Sequence, residues 1–552
     1  MTLDRPPVAS STTERTLTTS LWESDDAVPL AEATVGGLLT ARAEEQPDTT
    51  VLVGTAHGTG AQRRWTYAEL HTEARQVAAA LARVAEPGEP VALWAPNVAE
   101  WTLLEYAAAL AGVTLVALNP VLKPDELDHA LRLSRAAVLI HADTSRDVDL
   151  AAQAHRVAAD IPALRETISL TETDRLHAEP TGPLDRATPA APAMMQFTSG
   201  TTGRPKCVLL AHRSLVNNAR LTMITGDVPP GAVGIAPLPM FHTAACVIST
   251  LGPAWIGGTQ VLIETFDPAT VLARMRREGA DLLFSVPTVL GAVLEAARRA
   301  TDPVHQLETV LVGASTVPSS MIEAVEQMFG ASVHNLYGQT ELSPVLSLTR
   351  RSDTRADLVS TVGRPLPHTA ARIVDPATGD VVPVGTQGEI HARGYGQMIE
   401  YHDDAEATAA TVDPDGWLHT GDLGTMDARG LIAVTGRLKE IIIRGGEHIA
   451  PAEIEVALAA HPEVLASAVV GLPDEHWGEI VAAAVVVRDP SADGVVDRLD
   501  TFCRERLSTY KVPARFFLVD ELPTTPTGKV QKFVLRDTLL EPGTDDPGGP
   551  AP

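Results

Sequence analysis

The stretch TSGTTGRPK, Thr198–Lys206, follows an apolar, strand-like lead-in, AAPAMMQF at Ala190–Phe197. Hydroxyls, glycines and one lysine after such a lead-in read as a loop that wraps phosphates. Gly200 and Gly203 allow backbone conformations closed to other residues. Successive backbone N–H groups can then converge on an anion. Thr198, Ser199, Thr201 and Thr202 add hydroxyl donors, and Lys206 adds a point charge. The segment is not a Walker A loop, in which Lys follows directly on Gly, because Pro205 stands between Arg204 and Lys206. A flexible linker is the bland alternative, but linkers seldom follow a buried strand or end in Arg-Pro-Lys.

Outward from this loop, short apolar runs alternate with helical patterns. Leu70, Ala74, Val77, Ala78 and Leu81 recur at helical spacing, followed by a strand at Val91–Ala95. AEWTLLEYAAALAGV reads as a helix and TLVAL as a strand. Further strand-like runs lie at Gly234–Pro237, Thr259–Ile263, Leu282–Val286 and Thr309–Val312. This alternation predicts an α/β fold with βαβ layering. Residues 144–189 are loosely patterned and read as surface. Past residue 370, ARIVD, GEIHARG, WLHTGDLG and LIAVTGR resemble a small β-rich subdomain. After Arg437 an αβ module follows, with PAEIEVALAAHP and LDTFCRERLS as helices and SAVVGL and VAAAVVV as strands.

The chain has 552 residues, too many for one core, and 45% of them are hydrophobic. A formal charge of −27 argues against a nucleic-acid partner, whose phosphates need basic surface. It leaves room for a nucleotide, which needs only local positive charge. Cys207, Cys246 and Cys503 are far apart, so neither a disulfide framework nor a zinc cluster is expected. The most membrane-like stretch, Tyr106–Leu118, is too short to span a bilayer. The N-terminus has no apolar core after a basic start, so the cytoplasm is the expected location.

Three other segments carry chemistry. In NLYGQTE, Asn335–Glu341, Tyr337 could stack on a flat base, Gly338 would turn the chain, and Thr340 and Glu341 could reach phosphate and Mg²⁺. A plain Tyr-Gly turn with a capping Thr is the alternative. In WLHTGD, Trp417–Asp422, the aspartate is placed to accept hydrogen bonds from ribose hydroxyls, or merely to form an Asx turn. In TTPTGKVQK, Thr524–Lys532, Lys529 follows Thr-Gly on a turn, in a chain with only six lysines.

Together these segments resemble the adenylate-forming superfamily of acyl-CoA synthetases, peptide-synthetase adenylation domains and luciferases. The matches keep family order: Thr198–Lys206, PMFH at Pro239–His242, GAS at Gly313–Ser315, YGQTE at Tyr337–Glu341, HTGD at His419–Asp422, GRLKEIIIRGGEHIAPAEIE at Gly436–Glu455, and PTGK at Pro526–Lys529. The likeness covers roughly residues 35–537. It implies that a carboxylate attacks the α-phosphorus of ATP, pyrophosphate leaves, and a thiol, usually that of CoA, takes the acyl group. It also implies roles. The Thr198–Lys206 loop holds the β- and γ-phosphates. Tyr337, Gly338, Gly313, Ala314 and Ser315 contact adenine, Thr340 the α-phosphate and Glu341 Mg²⁺. Asp422 and Arg437 hold the ribose, Lys529 bridges α-phosphate and carboxylate, Lys439 is the hinge of a mobile C-terminal domain, and Gly445 and Gly446 line a thiol tunnel.

The expected layout is a disordered segment over 1–28, an adenylation domain over 29–436, a hinge at 437–439, a mobile α+β domain over 440–540 and a disordered tail over 541–552. Cys207 stands where the family usually has Gly, and Glu400-Tyr401 replaces its usual Gly-Tyr. The latter lies on a segment that reads as surface, with little effect expected. The acid pocket begins Phe241-His242-Thr243, without the Asp that amino-acid-activating domains carry near this point. His242 resembles the pocket histidine of aryl- and fatty-acyl ligases, with a structural histidine as the competing reading. The expected activity is therefore an acid–thiol ligase for an aromatic or medium-chain carboxylic acid, using ATP, Mg²⁺ and CoA. Rival expectations are a carrier-protein thiol, amine or nitrite-type chemistry, or a retired nucleotide-binding regulator. A monomer and a homodimer both remain open.

Overall fold

Runs such as VALW, TLVAL and VLIH are apolar but for one end position in the last two, Thr114 and His141, which suits strands buried on both faces of a parallel sheet. The computed structural model builds them so. It describes residues 16–198, 205–314, 317–445, 447–474, 476–489, 492–525 and 530–540. The chain divides into two compact units. The first is built on Trp22–Ala371 and Ala392–Leu418, the second on Thr16–Leu21, Arg372–His391 and the residues from His419 onward.

The first unit holds two sheets. One has seven strands in the order Glu400–Tyr401, Lys206–Ala211, Pro192–Thr198, Thr114–Leu118, Pro90–Trp94, Val138–His141 and Glu166–Ser169. It is parallel from Pro192–Thr198 to Glu166–Ser169 and antiparallel at the other edge. The helix Tyr67–Val84 is closed by a reciprocal Thr66–Glu69 capping box and buries Leu70, Ala74, Val77, Ala78 and Leu81, the face its spacing predicts. The second sheet has nine strands, with Ser332–Gly338, Thr309–Gly313, Leu282–Ser285, Val233–Ala236 and Thr259–Leu262 side by side and parallel. Among the described residues no helix is long and apolar enough to cross a membrane.

In the second unit the turn-rich segments form a sheet in the order Leu21–Trp22, Thr369–Val374, Gly388–Gly394, Leu418–Met426 and Ile432–Arg437. The helix Pro451–Ala459 and the long hairpin Val464–Asp474 with Gly478–Val487 follow.

Three expectations change. The segment expected to be disordered over 1–28 is tied down from Thr16: the Ser20 N–H donates to Val382 O at 2.8 Å, and Ser20 O accepts from Ile373 N at 2.9 Å. Its Thr, Leu and Trp residues favour a strand, a preference hidden by the polarity of the window as a whole. Residues 144–189, read as surface, supply the edge strand Glu166–Ser169, with Ile168 buried. The compact division also differs from the expected 29–436 and 440–540, since Arg372–His391 and His419 onward group with the C-terminal module. A close approach inside that unit fits this grouping, because a Cβ on Gly436 would lie 3.4 Å from the Ala450 Cβ.

Candidate active site

The segment expected to hold phosphates lies between two antiparallel strands, with Thr198 opposite Lys206 in the register. Both ends are half-buried. Ser199, Gly200, Thr201, Thr202 and Gly203 lie outside the described residues, as do Ser315, Gly446 and Lys529.

In an open α/β sheet, ligands bind beyond the carboxyl ends of the strands. Three expected motifs stand there on the nine-stranded sheet. Val233–Ala236 leads to Pro239–His242, Thr309–Gly313 to Ala314, and Ser332–Gly338 to Thr340 and Glu341. Gly313 pairs with Leu336, which sets the Gly313-Ala314 end beside Tyr337. A Cβ on Gly313 would fall 2.4 Å from Leu336 O, and one on Gly338 would fall 1.9 Å from Pro344 O. Both glycines are therefore required by close approach, and Gly338 continues the strand rather than making a free turn.

Glu341 sits in the short 3₁₀ turn Thr340–Leu342, with 9% of the residue exposed. Its turn is fastened by Asn218, which donates to Leu342 O at 3.2 Å and Val345 O at 2.8 Å. Glu341 Oε1 accepts a hydrogen bond from the Tyr401 hydroxyl at 2.8 Å. The Lys206 ammonium lies over the Tyr401 ring, 4.3 Å from its centroid. Burial, with the Glu341 charge beside it, pushes the Tyr401 phenol above its usual range, so it stays a proton donor. The expectation that Glu400-Tyr401 is surface with little effect is overturned at Tyr401, which is 5% exposed and touches two site residues.

His242 is half-buried, and its ring tilts 42° against Phe241 at 4.5 Å. Burial lowers its pKa to about 4, so the imidazole is neutral at pH 7. A π-helix, Ala244–Leu251, begins just after it. Such helices are rare and often mark functional sites.

In the second unit Asp422 and Arg437 face each other across an antiparallel pair, and Arg437 Nε lies 2.9 Å from Asp422 Oδ1. The turn before Asp422 is held from beneath. Gly421, at φ +71°, donates its N–H to Glu389 Oε1 at 3.0 Å. Burial alone would raise the Glu389 pKa, but the His391 hydrogen bond and nearby charges outweigh it and hold it below the usual range. The His391 and His419 rings stack at 3.9 Å.

Glu389, His391 and His419 have the donor types of a metal site, their ligand atoms lying within 4.8 Å of one another. The hydrogen bonding speaks against that use. Arg372 donates to His391 Nδ1 at 3.3–3.4 Å, so the ring proton sits on Nε2 and points at Glu389 Oε2, 3.0 Å away. A proton fills the place a cation would take. The cluster serves as a support for the Thr420-Gly421-Asp422 turn.

Lys439 lies in the 3₁₀ turn Leu438–Glu440. Gly445 is at φ +58°, and a Cβ there would meet the Trp477 ring at 2.7 Å. Lys532 joins Glu440, at 3.0 Å, to Glu455, at 2.9 Å, so the residue just after the expected hinge is ion-paired through Lys532 to the helix Pro451–Ala459.

Residues 39–402 match the family model of the AMP-binding enzymes, and residues 453–529 match the model of their C-terminal domain. The chain belongs to the AMP-binding enzymes. It is 35% identical to the putative acyl-CoA synthetase YngI of Bacillus subtilis, over 93% of this chain and 98% of that one. It is 32% identical to the mitochondrial medium-chain acyl-CoA ligase ACSF2 of Danio rerio, over 97% of this chain and 92% of the relative. Its fold matches ATP-bound MatB from Rhodopseudomonas palustris with a TM-score of 0.80 at 28% identity, covering 92% of this chain and 99% of MatB. It matches the anthranilate CoA ligase AuaEII in complex with anthranoyl-AMP with a TM-score of 0.83 at 25% identity, covering 93% and 98%.

For an AMP-binding enzyme the donor at Glu341 suits Mg²⁺, since a carboxylate largely out of water and oriented by a neutral hydroxyl is a hard oxygen ligand. Sequence reading missed Tyr401, Glu389, His391 and Lys532 as members of these clusters. The one local signal was Tyr401 itself, an aromatic in a polar stretch, and its partners lie far away in sequence.

Proposed function

We propose that this AMP-binding enzyme activates a carboxylic acid with ATP and then passes the acyl group to CoA. In the first step a carboxylate oxygen bonds to the α-phosphorus, the bond from that phosphorus to the bridging oxygen breaks, and pyrophosphate leaves. In the second the CoA sulfur bonds to the carbonyl carbon, the bond from that carbon to the phosphate oxygen breaks, AMP departs, and the thiol proton goes to water. A carboxylate is a poor electrophile because its oxygen is a bad leaving group, and AMP makes it a good one. The protein's part is positioning and charge neutralisation. In this reading the Thr198–Lys206 loop takes the β- and γ-phosphates. The Gly313-Ala314-Ser315 segment and Tyr337-Gly338 take the adenine, Thr340 the α-phosphate, and Asp422 with Arg437 the ribose. Glu341 holds Mg²⁺, which when bound neutralises phosphate charge. Lys529 meets the charge that develops between acid and α-phosphate, while Lys439 hinges the C-terminal domain that brings Gly445 and Gly446 to the thiol step.

The observation that carries this reading is the cluster of Lys206, Tyr401 and Glu341 at the root of the phosphate loop. It sets a cation and an anchored carboxylate beside a loop suited to phosphates. The acid is read as aromatic or medium-chain. Phe241-His242-Thr243 offers no aspartate to hold an α-ammonium, and the His242 ring lies against Phe241. Relatives named feruloyl-CoA synthase, from Amycolatopsis sp at 36% identity, and the medium-chain ligase above point the same way. The test is mass spectrometry after incubation with ATP, Mg²⁺ and a mixed acid library, with and without CoA. Acyl-AMP without CoA and acyl-CoA with it are expected. Pyrophosphate release that needs no acid would overturn the reading.

A second reading, with an amine as acceptor, draws on the likeness to the amide bond synthetase Mcba of Marinactinospora thermotolerans, with a TM-score of 0.79 at 29% identity. Amide in place of thioester, when amines and CoA compete in one reaction, would select it.

A further inference from the structure

We propose that Tyr401 is the positioning residue that joins the metal-binding carboxylate of Glu341 to the triphosphate-binding lysine, Lys206. The inference rests on the reading that this turn binds MgATP.

The segment carrying Tyr401 is fastened to both partners by its backbone. Ile399 N donates to Leu209 O at 2.8 Å and His402 N to Cys207 O at 2.7 Å, so the segment lies along the strand that leaves the phosphate loop. Met398 N donates to Glu341 O at 2.8 Å. Tyr401 sits opposite Val208 in that pairing. The side chain then repeats the link the backbone has made. Its hydroxyl reaches Glu341 Oε1 at 2.8 Å, and its ring face carries the Lys206 ammonium at 4.3 Å.

Each half of the residue has a separate task. A hydroxyl donating to a carboxylate makes a charge-assisted bond that fixes the plane of the carboxylate while leaving its charge in place. One oxygen is anchored, and the other is left for a cation. The ring attracts the lysine ammonium through its π face. It thereby holds Lys206 away from Glu341, the partner a bare ammonium would otherwise take. An ion pair between those two would occupy the oxygen the metal needs and the charge the phosphates need.

The test is calorimetry of ATP binding to the full chain, with and without MgCl₂, in wild type, Tyr401→Phe, Tyr401→Leu, Glu341→Gln and the Tyr401→Phe/Glu341→Gln double variant. Tyr401→Phe keeps the ring and its packing. It is expected to reduce the tightening that Mg²⁺ confers on ATP by about ten-fold, with ATP affinity in the absence of Mg²⁺ unchanged. Tyr401→Leu is expected to weaken ATP binding even without Mg²⁺, because Lys206 loses its rest position. In the Glu341→Gln background, Tyr401→Phe is expected to add nothing further, since both act through one carboxylate. A wild-type magnesium response in Tyr401→Phe, or independent addition of the two substitutions, would overturn the inference alone. If wild type shows no magnesium-dependent ATP binding, the parent reading falls and this one with it.

Discussion

Two of the buried carboxylates of the first unit, Glu341 and Glu105, meet different neighbours. Glu341, in the turn after the strand Ser332–Gly338, is anchored by the hydroxyl of Tyr401, whose ring carries the Lys206 ammonium. Glu105, in the helix Ala99–Ala111, is 3% exposed, and neither of its oxygens has a hydrogen-bond partner among the described residues. Burial pushes the Glu105 carboxyl well above the usual range, so it stays protonated. It shares that part of the core with the Tyr106 hydroxyl and His212 Nε2, neither of which has a partner among the described residues. A buried carboxylate that is oriented can hold a cation. One that is merely enclosed costs stability, because desolvation is not offset by a bond. The same residue type thus reads as site or as burden according to its neighbours.

The largest effect expected from breaking this contrast is at Glu341. Glu341→Gln should slow acyl-AMP formation about 100-fold or more, checked by pyrophosphate release, because the carboxylate's charge acts at the centre of charge transfer. Next is Gly338→Ala. A methyl group 1.9 Å from Pro344 O forces the turn that carries Glu341 to move. Roughly ten-fold weaker MgATP binding and a lower melting temperature are expected. A retained affinity would show that the turn is less tightly specified than the contrast requires.

Glu105→Leu should do the opposite of a site substitution. It should leave acyl-AMP formation intact and raise stability by about 1–3 kcal/mol, read from denaturant melts at neutral pH. The sign with pH follows from the raised native pKa. The native state keeps the Glu105 proton above about pH 4.3, where the unfolded chain has lost it, so the Glu105 contribution fades as pH rises from there. Glu105→Leu should remove that part of the slope.

The smallest effect concerns two histidines. Burial lowers both His212 and His242 to about 4. Between about pH 6.5 and 4 the unfolded chain binds protons that these native imidazoles refuse, so their contribution is present above 6.5 and is lost as pH falls. His212→Leu should flatten that acid limb of the stability curve. An unchanged limb would place the acid sensitivity elsewhere.

Much of this molecule is legible in its sequence, and the exceptions share one cause. Apolar runs such as Leu115–Leu118 and the spacing of Leu70, Ala74, Val77 and Leu81 announce their elements because burial on a strand or helix face has a fixed period. Thr198–Lys206 and Tyr337–Glu341 are legible as family motifs because each packs its distinctive residues into a few consecutive positions. Trp22 escaped because a lone strand residue in a polar window finds its partner more than 300 positions on, in the sheet with Thr369–Val374. Tyr401 escaped likewise, since nothing local distinguishes it from a surface tyrosine.

By itself the sequence determined the alternating layers, the family and the residues that could carry charge to a nucleotide, because local period and short motifs are properties of neighbours along the chain. Only the tertiary structure decided that Tyr401 joins Glu341 to Lys206, that His391 donates a hydrogen bond to Glu389, and that Glu105 has no partner among the described residues. Those outcomes depend on which distant side chains share one small volume, and no pattern along the chain records that.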